Sequence, residues 1–108
     1  MDVRMNVGHV SDFTDQVARS FEVEGLRISV AAIGGRWYAF DDTCTHRQCS
    51  LADGSIEGTT AVCPCHGGTF DLETGEVLAG PPPEPIRIYR AGVEGDAVFV
   101  EVPERRAA

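Results

Sequence analysis

The sequence predicts an all-β domain, and three observations carry that expectation. Apolar and polar residues alternate over short runs, turn-forming glycines punctuate the runs, and helical periodicity is almost absent. The first predicted strands are Arg19 to Glu24 and Leu26 to Ile33, with Glu24-Gly25 as the turn between them. Gly34-Gly35 is a two-residue hairpin turn leading into Arg36 to Phe40, whose Trp37, Tyr38 and Phe40 are read as core. Thr59 to Cys63 and Ile86 to Arg90 are further strands, and Gly95-Asp96 marks a turn before Ala97 to Val102. In that last strand Val98, Val100 and Val102 share one face, with Phe99 and Glu101 on the other. Asp12 to Ser20 has only a weak helical stripe (Phe13, Val17, Ala18) and is read as loop.

At 108 residues the chain is expected to form one domain over 1–108, near the size where metals or disulfides supplement a hydrophobic core. Glu104 to Ala108 read as a loose tail. The net charge is −8, and all nine basic residues are arginine. That balance argues against nucleic acid and for a soluble surface or partners with a basic face. No apolar run near Met1 to Gly8 resembles a signal peptide, and no segment approaches the roughly eighteen apolar residues of a membrane span. The expectation is a cytoplasmic protein with no membrane contact, where cysteines point to metal or redox chemistry before structural bridging.

The middle of the chain, about residues 41–85, is rich in Gly, Pro, Thr and Asp and carries all four cysteines. Cys44-Thr-His46 is followed, sixteen residues beyond His46, by Cys63-Pro-Cys65-His66. Each piece offers one thiolate and one imidazole. Thiolate is soft and anionic and suits iron with sulfide, while imidazole is neutral and borderline. Mixed ligation of this kind distinguishes a Rieske 2Fe-2S centre. Zinc is the competing reading, with Cys44, Cys49, Cys63 and Cys65 as ligands or His66 in place of one, but zinc hooks favour other spacings.

Cys44-Thr45-His46 and Cys63-Pro64-Cys65-His66-Gly67 resemble the two cluster-binding loops of Rieske-type proteins, and in detail the chain is most similar to the Rieske ferredoxins that serve oxygenase systems. The specific match runs from Phe40-Asp41-Asp42 to Gly80-Pro81-Pro82-Pro83, where the proline loop is expected to cover one side of the cluster. The resemblance implies an antiparallel β-sandwich with a small inserted cluster-binding lobe at about 41–85. It implies Cys44 and Cys63 on the inner iron and His46 and His66 on the outer iron of one 2Fe-2S cluster. In one branch of the family, cysteines at the offsets of Cys49 and Cys65 form a disulfide; two thiols in a reducing cytoplasm are the alternative. High-potential relatives carry serine at the position of Gly68 and tyrosine at that of Phe70, so this chain lacks both hydroxyls.

With His46 and His66 assigned to the cluster, His9 alone remains, too few histidines for a 2-His-1-carboxylate oxygenase iron. The resemblance therefore implies an electron-transfer protein rather than an enzyme. It would be a monomeric one-electron carrier between a flavin-dependent reductase and a terminal oxygenase. The alternative is a small Rieske subunit of a larger oxidoreductase of the nitrite reductase or arsenite oxidase type. Asp71 to Glu76 is read as a β-turn with Gly75 at the position that needs positive φ.

Overall fold

The computed structural model describes residues 2–43, 49–65, 68–80 and 84–103. The described residues contain ten strands: β1 (Asp2–His9), β2 (Arg19–Val23), β3 (Leu26–Ile33), β4 (Arg36–Asp41), β5 (Ser55–Glu57), β6 (Thr60–Val62), β7 (Thr69–Asp71), β8 (Val77–Ala79), β9 (Ile88–Glu94) and β10 (Ala97–Pro103). They form a six-stranded sheet, β1-β10-β9-β4-β3-β2, and a four-stranded sheet, β5-β6-β7-β8. Every pairing is antiparallel. Short 3-10 turns occupy Val10–Asp12 and Leu51–Asp53, and residues 13–18 are loop.

The large sheet folds on itself where β4 and β9 share two paired positions, Ala39↔Tyr89 and Phe40↔Ile88. Val23, Ile28, Val30 and Ala39 from one half then pack with Tyr89, Val98, Val100 and Val102 from the other. Val98, Val100 and Val102 are fully buried, as their alternation requires. A second core joins the same wall to the small sheet: Ala31, Ile33 and Phe40 with Leu51, Ala61, Cys63, Phe70, Leu72 and Ile86. β3 and β4 thus face a core on both sides, which is why Ile28 through Ala31 are all buried instead of alternating. Each fully buried Phe, Leu or Ile is worth about 1.5–3 kcal/mol, so this shared wall anchors the lobe firmly to the sandwich.

The hairpins follow the glycine signals. Glu24 and Gly25 lie at φ 50° and 78°, and Gly34 and Gly35 at 58° and 86°, the positive-φ pairs that a two-residue turn of matching twist demands. Gly75 has φ 85°, and a Cβ there would stand 2.1 Å from the carbonyl oxygen of Ile86. That approach has a purpose: Gly75 N–H bonds Asp71 O at 2.6 Å and Gly75 O accepts from Ile86 N–H at 2.9 Å, so the turn clips the return segment onto the lobe.

The expected strand Ile86 to Arg90 begins two residues later, at Ile88, and runs to Glu94. Ile86 and Arg87 donate their N–H groups to Gly75 O and to the Asp41 carboxylate, outside the ladder. β1, β5, β7 and β8 are additional to the expected strands. The tail at 104–108 and the prolines at 81–83 lie outside the described residues.

Candidate metal centre

The lobe is built from two loops with closed bases. The first leaves β4 through Asp42 and Thr43 and returns at Ser50, where Thr43 and Ser50 form a bridge and Leu51 N–H donates to Asp42 O at 2.6 Å. The second is the connection of the β6–β7 hairpin: Val62 pairs with Thr69, and Cys63 N–H donates to Gly68 O at 2.7 Å. Gly54 lets the two arms touch, since a Cβ there would meet Val62 O at 2.0 Å. The only residue type that tolerates that approach is glycine.

Cys49 and Cys65 are joined by a disulfide, with Cα atoms 6.4 Å apart, so the loops are covalently tied as well. Both cysteines are half-buried and line an open cleft of about 720 Å³ shared with Arg27, Asp42, Thr43, Ser50, Asp53 and Pro64. Their union removes the four-cysteine zinc reading, because a bridged sulfur is no thiolate ligand.

Of the expected cluster ligands, Cys63 is described: it is 1% exposed, at the end of β6, in the core with Leu51, Phe70 and Leu72. Cys44, His46 and His66 lie outside the described residues. The chain nevertheless fits a 2Fe-2S group. A buried sulfur stands at the base of one loop, the other loop's base is hydrogen-bonded beside it, and the donor set across both is two cysteines and two histidines. Among the described residues, no cluster of three or more His, Cys, Asp or Glu offers a rival metal site.

Sequence reasoning passed over Asp42. Its side chain is completely buried, and it accepts from Ser29 Oγ (2.5 Å), Ser50 Oγ (2.9 Å), Ala52 N–H (3.0 Å) and Arg27 Nε (3.1 Å). Burial alone would raise its pKa; the hydrogen bonds from Ser29, Ser50, Ala52 and Arg27 outweigh that and hold the carboxyl below its ordinary value. Its neighbour Asp41 accepts from Tyr89 OH at 2.6 Å. Desolvation, then that bond and the Asp41 charge, push the Tyr89 phenol up to about 12. An acidic residue two places before C-x-H carries no signal of burial. The partners lie eight to fifteen residues away and converge only on folding.

His9, expected at the surface, is exposed and caps the first 3-10 turn, its Nδ1 accepting from Ser11 N–H. Phe40 is fully buried, and Trp37 and Tyr38 pack partly buried against opposite cores. Among the described residues no helix is long and apolar enough to cross a membrane.

A β-sandwich carrying a disulfide-tied two-loop lobe, each loop bringing one further cysteine and one histidine in its sequence, defines an iron–sulfur protein of the electron-transfer class. The chain belongs to the Rieske [2Fe-2S] domain family, whose sequence model matches residues 3–90. It is 37% identical over 90 residues to the 3-phenylpropionate/cinnamic acid dioxygenase ferredoxin subunit of Escherichia coli (strain K12), covering 77% of this chain and 85% of the relative. The ferredoxin of carbazole 1,9a-dioxygenase from Nocardioides aromaticivorans IC177 superposes with a TM-score of 0.87 at 27% identity, covering 96% of this chain and 99% of that one. A ferredoxin solved in complex with the oxygenase of carbazole 1,9a-dioxygenase gives 0.86 at 30% identity, with 98% of each chain covered.

Proposed function

We propose that this Rieske protein carries single electrons from a flavin-dependent reductase to a terminal oxygenase, as a cytoplasmic monomer formed by one domain over 1–108. One 2Fe-2S cluster is held by Cys44 and Cys63 on one iron and His46 and His66 on the other. The observation that carries the reading is the ferredoxin match, which extends over sandwich and lobe together and over 85% and 99% of the two ferredoxins compared. A second observation removes oxygenase chemistry from this chain: outside the cluster set His9 is the remaining histidine, and it sits exposed at the end of β1.

When bound, a cluster with two imidazole ligands accepts one electron at roughly −150 to +300 mV, higher than all-cysteine ferredoxins. The chain's own contribution is to hold the loops rigid through the Cys49–Cys65 bridge, the Thr43–Ser50 closure and the buried packing of Cys63. A rigid lobe keeps the ligand geometry constant between redox states. The net charge of −8 favours partners that present a basic face.

The test is reconstitution of the purified brown protein with a flavin reductase and a terminal aromatic-ring oxygenase. Product formation should depend on this protein and fall away at raised ionic strength. An intact, reducible cluster that no terminal oxygenase oxidises, in a protein that co-purifies with a nitrite reductase large subunit, would favour the oxidoreductase-subunit alternative.

A further inference from the structure

Asp42 is fully buried, a position in which a carboxylate stays ionised only when it is well hydrogen-bonded. Its four donors come from two directions. Arg27 and Ser29 belong to β3 in the sandwich wall, whereas Ser50 and Ala52 belong to the returning arm of the first loop. Backbone bonds run in parallel, Asp42 N–H to Arg27 O at 3.1 Å and Leu51 N–H to Asp42 O at 2.6 Å. One side chain thus pins both ends of residues 43–50 to the sandwich.

The charge is arranged as deliberately as the bonds. Asp42 is 0% exposed, while the Arg27 side chain opposite it is 59% exposed. The anion lies inside and its counter-cation faces water, where solvent screens it. Cys44 is two residues along the chain, a span of at most roughly 7 Å. A buried anion at that range opposes the arrival of another negative charge.

Resting on the ligand assignment above, we propose that Asp42 is a positioning residue for the first ligand loop and that, with Arg27, it sets the reduction potential of the cluster: its buried charge lowers the potential and the Arg27 cation partly offsets it. The two side chains therefore act with opposite sign. Loosening of the loop alone would give both substitutions the same sign, which separates the electrostatic role from a structural one.

The experiment is voltammetry at neutral pH on Asp42→Asn and Arg27→Gln holoproteins beside the parent, with iron, sulfide and EPR spectra measured on each. Asp42→Asn keeps the volume and removes the charge. Its potential should rise, by about a tenfold change in the reduced-to-oxidised ratio, or roughly 59 mV for a one-electron couple. Arg27→Gln should lower the potential by a smaller amount. If Asp42→Asn does not assemble, Arg27→Gln at its exposed site carries the sign test alone, and an unchanged or raised potential overturns the proposal. Shifts of the same sign, or no shift in either protein with full cluster content, overturn it too. A parent protein without a Rieske EPR signal would instead count against the ligand reading on which the proposal rests.

Discussion

Replacing Cys49 and Cys65 together by serine should lower the thermal midpoint of the holoprotein by about 13 °C. The bridge closes a loop with a sequence separation of 16. In the chain-entropy account, a loop of about that length restricts the unfolded chain by roughly 3 kcal/mol at 25 °C. A domain of this size unfolds with an entropy near 2.1 cal/mol/K per residue, about 0.23 kcal/mol/K in total, and the quotient is the expected shift. Serine adds little cost of its own, because both positions are half-buried beside an open cleft that can hydrate a hydroxyl. Cluster loss accompanies unfolding, so the visible absorbance of the oxidised centre reports the transition alongside calorimetry. Parent protein treated with dithiothreitol should melt with the double variant rather than with its own oxidised form. A midpoint within about 3 °C of the parent would show that the bridge does not restrict the unfolded ensemble. The unfolded, unreduced holoprotein should titrate two thiols, those of Cys44 and Cys63; four would remove the bridge itself.

Alanine at Cys44, His46, Cys63 or His66 should each abolish the visible and EPR spectra of the assembled cluster, and iron and sulfide analysis checks it; a His46→Ala protein with full iron and sulfide would sink the ligand assignment. Gly68→Ser and Phe70→Tyr should each raise the potential, by about 50–90 mV if the new hydroxyl donates a charge-assisted bond of roughly 1–2 kcal/mol to a cluster sulfur. Voltammetry beside the parent decides it, and a parent already near roughly +300 mV would contradict the ferredoxin reading. Tyr89, held up at about 12, binds its proton more tightly folded than unfolded. Its contribution is complete below the unfolded value near 10 and is lost as pH rises toward 12, on the order of 2 kcal/mol in all. Denaturant titration of parent and Tyr89→Phe between about pH 9 and 11 should show that slope in the parent and its absence in the variant.

Much of the sandwich was legible in the residues. Leu26–Ile33 and its two flanking turns stand where alternation and glycine pairs place them, and the valine face of β10 is the buried one. β1 had a readable signal, Val3, Met5 and Val7 alternating with exposed residues, but its value comes from pairing with β10 at the far end of the chain. The lobe strands β5 to β8 are three residues each, too short for a period of two to declare itself.

What the sequence by itself determined is the proposed donor set. Cys44 with His46 and Cys63 with His66 are close along the chain, so covalent geometry limits how far apart the members of each pair can be. Tertiary structure decided everything that depends on segments meeting. It tied Cys49 to Cys65, seated Tyr89 OH on Asp41 across 48 residues, and turned Asp42 from one of seventeen acidic residues into a fully buried anchor. The physical reason is desolvation: an acidic side chain belongs in water by every local rule. It stays ionised inside only because Arg27, Ser29, Ser50 and Ala52 supply donors that no neighbouring stretch of sequence contains.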